Sequence, residues 1–457
     1  MPGPRDLETR PPDEAIRAAG VGATVAAVWR IESAKLIAGL ARMVRDVGVA
    51  EELAQDAMVA ALERWPESGV PDNPGAWLMA TAKHRAIDLI RRRERLERKH
   101  EEIGRQMEAD RADQAGDEPI LDEIDQADED VGDDLLRLIF TACHPVLSPE
   151  ARVALTLRLL GGLTTSEIAR AFLVPEPTVA QRIVRAKRTL SDARVPFEVP
   201  KGAELAGRLA SVLEVIYLIF NEGYAATAGD DWMRPGLCED ALRLGRILAE
   251  LTPGEPEVHG LVALMEIQAS RMRARRGPGG EPILLLDQNR ARWDQILIRR
   301  GLAALDRAER LGGDPSHRGP YVLQAAIAAC HARARTADET DWERIAALYG
   351  ELGRISPSPV VELNRAVAVA MAFGPAAGLD LADRLVSEPV LQGYHLLPSA
   401  RADFLAKLGR LDEARAELER AASLTRNTSE RRLLLERAAA LGLERDADLD
   451  REATSRP

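Results

Sequence analysis

Between Ser148 and Arg194 the chain reads SPEARVALTLRLLGGLTTSEIARAFLVPEPTVAQRIVRAKRTLSDAR, two short amphipathic patterns either side of a proline-marked break. Thr164 or Thr165 is placed to cap the first, with Glu167 at the next polar position of a capping arrangement. Ile168, Ala169 and Phe172 then fall on one helical face. The break comes at Leu173-Val174-Pro175, because proline disfavours helix in the residue before it and cannot donate in a helix interior. Glu176 and Pro177 open a second helix, expected to run to Leu190, in which Val179, Ile183, Ala186 and Leu190 face inward. Thr178, Gln181, Arg182, Arg185, Lys187 and Arg188 are left outside. This is the pattern of a helix-turn-helix. Laid in a major groove, such a helix offers its early side chains to base edges and its later cations to phosphates. Thr178, Gln181 and Arg182 are therefore assigned to bases, and Arg185, Lys187 and Arg188 mostly to the backbone. A solvated basic face on an ordinary helical hairpin would give the same pattern, so the rest of the chain has to decide.

Aromatic residues make up only 4% of the 457, Ala, Leu, Arg and Glu abound, and no alternating apolar-polar runs stand out, so the expected fold class is all-α. The formal net charge of -12 sits badly with nucleic-acid binding until its distribution is seen. Lys83 to His100 holds eight Lys/Arg against three Asp/Glu, whereas Glu101 to Asp134 holds fifteen Asp/Glu against two Lys/Arg. Local partners of opposite sign matter more here than the total. Cys143, Cys238 and Cys330 lie far apart without paired spacing, which suggests neither zinc nor a disulfide framework and fits a reducing cytosol. The N-terminus lacks the apolar core of a signal peptide, and no run of about 18 apolar residues suggests a membrane span.

Residues 1–22, rich in proline and charge, are expected to be a disordered tail. One or two helices follow, on Val25, Val28, Ile31, Leu36, Leu40 and Met43, with Gly48 closing the pattern. The next segment, VAEELAQDAMVAALERWP, places Leu53, Ala57, Ala60 and Ala61 inward and Glu52, Asp56 and Glu63 outward, and is expected to stop before Pro66. After the loop SGVPDNPG comes a helix that is apolar at its start, around Trp77, and basic at its end. Bases held against apolar surface while phosphates meet cations would suit single-stranded or melting DNA. Trp77 taken singly reads better as core. The basic run beside the later helix-turn-helix favours nucleic acid.

QDAMVAALERWP, then NPGAWLMATAKHRAIDLIRRR, then an acidic linker, then the helix-turn-helix together resemble a bacterial RNA polymerase sigma factor of the extracytoplasmic-function (ECF) class. The resemblance implies a region 2 domain over 23–100, a linker over 101–133 and a region 4 domain over 134–195. It implies core RNA polymerase and promoter DNA as partners, in the cytoplasm. Glu52, Asp56 and Glu63 would meet the polymerase clamp. Asp72, Asn73, Trp77, Lys83, Arg85, Asp88, Arg91 and Arg92 would open and read the element near minus ten. The helix from Glu176 would read the element near minus thirty-five. Many family members have glycine in the turn where this chain has Leu173, which puts the register of the base contacts in question by about one residue, since a left-handed non-glycine costs roughly 1 kcal/mol. The linker is expected to be unfolded when free, as a tether or as an acidic thread through the polymerase's RNA channel.

From Pro196 a different composition begins, which short sigma factors of this class lack. LNRAVAVAMAFGPAAGLDLADRLV and SARADFLAKLGRLDEARAELERAA align with Gly374 over Gly409, a period of 35, near the 34 of tetratricopeptide repeats. Residues 196–445 are therefore expected to be a tetratricopeptide-like helical extension and 446–457 a tail. Its groove would receive a peptide, another protein or part of its own chain. YLIFNEGY, with Asn221 and Tyr224, and LLLDQNRARWDQ resemble the sigma subgroup that carries such an extension, which implies regulation of the sigma factor by it. Asp287, Arg290, Arg292, Trp293 and Asp294 form a dense polar cluster. Asp287 and Asp294, seven apart, would share a helical face, so a metal or acid-base site is one reading; a buried ion-pair network locking two repeats, or a rim that docks on the sigma domains, is the better one. No phosphate-binding glycine loop or nucleophile motif is present, so neither an enzyme nor a cofactor is expected. A tetratricopeptide adaptor, or a DNA-binding activator that is not a sigma subunit, remain alternatives.

Overall fold

The computed structural model describes residues 12–107, 131–314 and 318–454. These hold eighteen α-helices and one two-residue parallel pairing, β1 (Ala228–Gly229) beside β2 (Arg426–Asn427), so the all-α expectation stands. The chain divides at Val215 into two compact units.

The first unit contains α1 (Pro12–Val44), α2 (Val47–Ser68), α3 (Pro74–Met107), α4 (Val131–Ala142), α5 (Pro149–Leu159), α6 (Thr165–Phe172), α7 (Glu176–Asp192) and the start of α8 (Ala203–Tyr224). Four expectations need correction. Residues 12–22, expected as tail, belong to α1: Pro12 suits a first turn, acids follow it, and alanines carry the helix on. The break before α2 is Arg45, at φ 52°, and Gly48 lies inside α2, because Asp46 caps that helix by accepting from the Val49 amide. The helix also runs through Pro66 to Ser68, since a proline so near the end forfeits only a last-turn bond. Finally, 101–107 and 131–133 are helical, and 108–130, the rest of the expected linker, lie outside the described residues, as do 1–11.

Ile37, Leu40, Trp65, Phe140, Leu155 and Leu159 fill the core of this unit. Arg152 crosses it from α5 and donates to Ser211 Oγ at 2.5 Å and to Glu214 Oε2 at 2.9 Å. Arg208 donates to the Phe140 carbonyl at 2.9 Å. Those bonds tie the first half of α8 to α4 and α5.

The second unit continues with α9 (Pro235–Leu251), α10 (Pro256–Ser270), α11 (Gln295–Gly312), α12 (Pro320–Arg333), α13 (Trp342–Ile355), α14 (Pro359–Phe373), α15 (Pro375–Arg384), α16 (Leu396–Lys407), α17 (Leu411–Leu424) and α18 (Thr428–Thr454). Successive helices pair with one another, and α10 packs on α9, α11 and α12. Helix crossings are close: a Cβ on Gly260 would lie 2.7 Å from the Val322 nitrogen. The two aligned hairpins, α14–α15 and α16–α17, turn at Gly374 (φ 102°) and Gly409 (φ 76°), where a left-handed backbone favours glycine. The segment from 446 to Thr454 continues α18 rather than forming a tail, because LERDADLDREAT contains no glycine or proline to stop the helix; 455–457 lie outside the described residues. Asn427, 1% exposed, caps α18 with its Oδ1 and donates through Nδ2 to the carbonyls of Ala226 and Asp231. Cys143 and Cys238 are buried, and burial pushes their thiols up to about 11 and about 12.

Candidate nucleic-acid interface

Helix α6 starts with a complete capping box: Thr164 Oγ1 accepts from the Glu167 amide at 3.2 Å, and Glu167 Oε2 accepts from the Thr164 amide at 2.8 Å. It ends at Leu173 in the left-handed conformation, φ 50° and ψ 43°, with the Val174 amide donating to the Ala169 carbonyl at 3.1 Å. The turn is thus left-handed without a glycine, at roughly 1 kcal/mol of strain. Helix α7 starts at Glu176 as expected and extends two residues past Leu190.

Val179, Ile183, Ala186 and Leu190 are all buried. Gln181, Arg185 and Arg188 are exposed, and Thr178 and Arg182 are half-buried beside them. Arg188 pairs with Asp192 at 3.4 Å, but its side chain is 81% exposed, so the pair contributes little. Lys187 stands apart from its neighbours. It points at α2 and forms an ion pair with Glu51, a carboxylate 2% exposed that also accepts from Arg158 Nε at 2.6 Å and Gln55 Nε2 at 2.5 Å.

On the outer face of α2, Glu52, Asp56 and Glu63 are exposed together with Val59 and Leu62, giving an acidic surface with apolar residues among the acids. Asp56 meets Arg85 of α3 at 3.2 Å. Ahead of α3, Asp72 is exposed, and Asn73 Oδ1 accepts from the Ala76 amide at 3.0 Å, so Asn73 anchors the helix start. Trp77 is half-buried, edge-on to the buried Trp65 with ring centroids 5.4 Å apart. Arg85, Asp88, Arg91 and Arg92 are exposed and follow Trp77 at helical spacing, within one broad face; Lys83 is half-buried and sits off it. An apolar anchor is thereby continuous with cations.

Sequence reasoning missed Glu51 and Arg158. Their signal was a carboxylate on the inward stripe of α2, between Ala50 and Ala54. Such a residue is rarely left buried without partners.

In the extension, Leu284 to Gln295 is not a helix. It forms two 3-10 turns, Leu285–Asp287 and Arg290–Arg292, joined by extended backbone, so Asp287 and Asp294 do not share a helical face. Asp287 is exposed, and Asp294 caps α11 by accepting from the Ile296 and Leu297 amides. Among the described residues no group of acids, histidines and cysteines could hold a metal. Nor is Arg290 part of an ion-pair network. It donates to the His331 and Ala334 carbonyls and to Thr340 Oγ1, and lies over the ring of Trp293. Arg275 sits 3.6 Å from the centroid of Tyr224 and 4.5 Å from that of Trp232, while Arg271 lies between Tyr224 and Trp293. The cluster is a stack of guanidiniums and aromatic rings. The Tyr217 hydroxyl, beside Asn221, donates to Gln324 Oε1 at 3.2 Å, and exposed Arg292 borders an open depression with Arg273 and Arg276. Burial, then Arg271 and Arg290, push His331 down to about 3.

No helix among the described residues is long and apolar enough to cross a membrane. Family models match in three places: sigma-70 region 2 over residues 32–96, sigma-70 region 4 over 137–190, and a family of unknown function (DUF6596) over 208–309. An uncharacterized protein of Rhizobium meliloti (strain 1021) is 43% identical over 393 residues, which cover 86% of this chain and 89% of that protein. A probable ECF RNA polymerase sigma factor, SigI, of Mycobacterium tuberculosis is 29% identical over 175 residues, 38% of this chain and 57% of that protein.

Proposed function

We propose that this chain, which belongs to one family with the Rhizobium meliloti protein and carries sigma-70 region 2 and region 4 domains ahead of a DUF6596 segment, is a sigma subunit that directs core RNA polymerase to particular promoters. The observation that supports this most is the pairing of two different DNA surfaces in one chain. Helix α7 offers Gln181, Arg182 and Arg185 beside a capped and correctly turned α6. Helix α3 offers a half-buried indole followed by Arg85, Arg91 and Arg92. The first suits edges and phosphates of duplex DNA, the second suits bases leaving a duplex. The acidic outer face of α2, with Val59 and Leu62 exposed among Glu52, Asp56 and Glu63, is the surface for the polymerase clamp.

The paired helices from α9 to α18 form a tetratricopeptide-like extension that regulates the two DNA-binding domains, and the protein acts in the cytoplasm, with polymerase and promoter. Purified chain, core polymerase and a promoter library test the central reading. Open complexes that require this chain support it; binding to duplex DNA with no polymerase dependence would instead indicate an activator, and binding to neither an adaptor.

A further inference from the structure

We infer that the region 2 and region 4 domains form a closed resting state, clasped through Glu51, which must open before the chain can occupy a promoter. This deepens the sigma-subunit reading and rests on it. Glu51 lies in α2, next to the acidic outer face, yet it is 2% exposed and its carboxylate points the other way, toward region 4. Two cations from region 4 converge on it: Arg158 of α5 at 2.6 Å, and Lys187 of the helix that carries the DNA-reading residues. The stem of Lys187 lies along the first turn of α2, where a Cβ on Gly48 would be 3.5 Å from its Cδ. Nearby, Ser191 Oγ donates to Asp46, the cap of α2, at 3.4 Å. A second tie joins Arg30 of α1 to Glu167 of α6 at 2.8 Å.

A buried carboxylate needs its cations, because burial without them is strongly unfavourable. The arrangement is therefore a specific lock rather than a loose surface contact. It has two consequences for DNA. Lys187 cannot donate to a phosphate while it holds Glu51. More decisively, elements near minus ten and minus thirty-five lie about 25 base pairs apart, or about 85 Å at some 34 Å per helical turn. Two domains joined through single side chains cannot reach both. Binding at both elements thus requires the ion triad to break, and the closed form lowers the apparent affinity for polymerase and promoter by the fraction of molecules left open.

Glu51→Gln tests this in the full chain. The amide keeps the size of the side chain and can still accept from Arg158, but it removes the charge and turns N–H donors toward Lys187. Dyes on Ser68→Cys and Ala193→Cys, in a Cys330→Ser background, report the separation of the two domains, while buried Cys143 and Cys238 stay unlabelled. The expected result is a single narrow distance distribution, close to the ~33 Å length of α2, for the otherwise unchanged chain, a longer and broader distribution for Glu51→Gln, and about tenfold tighter binding of the variant to core polymerase. Unchanged distances in Glu51→Gln would overturn the clasp. Longer distances with unchanged or weaker polymerase binding would overturn its inhibitory role. If no version of the chain binds core polymerase, the sigma-subunit reading and the inhibitory role fall together, while the distances still decide whether the clasp exists. Should Glu51→Gln lose helicity by circular dichroism, Arg158→Met, which keeps the stem and removes the charge, is read by the same distances.

Discussion

Lowering the pH from about 7.5 to about 5 should loosen the second unit through His331, and His331→Phe should remove that part of the loss. The ring is 8% exposed, packs edge-on to Trp342 at 5.1 Å, and lies near Arg271 and Arg290. Burial and those two cations hold its pKa at about 3, against 6.5 in the unfolded chain. Above the unfolded value both states are neutral, and the histidine adds no pH dependence. Below it the unfolded chain takes up a proton that the folded ring refuses, so stability falls as pH drops through that window. At ~1.4 kcal/mol per pH unit over about one and a half units, the loss by pH 5 is about 2 kcal/mol. Hydrogen exchange of the α12 amides, corrected for the intrinsic rate at each pH, measures it within the intact chain. Carboxylates titrate alike in both proteins and cancel in the comparison. His331→Phe should stay within about 1.5 kcal/mol of the parent at pH 7.5, as a shape-conserving swap, and overtake it at pH 5. Equal pH dependence of the two proteins would refute the reasoning.

Arg182→Ala should relax preference at one position of the upstream element by about 1–3 kcal/mol, whereas Arg188→Ala should weaken all sequences alike; binding to a randomised duplex library separates the two. Thr164→Ala removes the hydroxyl of the capping box and should cost about 1 kcal/mol, read as a lower urea midpoint for the first unit. Trp77→Ala should leave duplex binding by the holoenzyme intact but reduce permanganate reactivity of promoter thymines, in line with about 1–3 kcal/mol for a stacked base; unchanged reactivity would make Trp77 purely a partner of Trp65. Asn427→Ala should destabilise the second unit by about 1–3 kcal/mol, read as a lower unfolding midpoint, because it leaves buried carbonyls without a donor.

What could be read from sequence was whatever the local pattern fixes. The capping box at Thr164, the inward stripe of α7 and the glycine turns of the two late hairpins are statements about neighbours three or four residues apart. Helix ends are not legible where two local signals compete: Asp46 caps a helix start two residues ahead of Gly48, and Pro66 is tolerated because it stands in a last turn. The segment around Arg290 failed for a different reason. Its shape is set by carbonyls at the end of α12, some forty residues later, so no periodicity within it could reveal the 3-10 turns. Lys187 was equally opaque. In sequence it is one cation among several, and only the carboxylate facing it from α2 separates it from Arg185 and Arg188.

Leu173 carries a wider lesson about how this turn is specified. Its left-handed backbone is held by the amide of Val174 reaching back to Ala169, so the turn is kept by bonds on either side of the corner although a side chain there costs roughly 1 kcal/mol. Leu173→Gly would therefore relieve the strain at the corner while leaving the aim of the following helix to the bonds on either side of it.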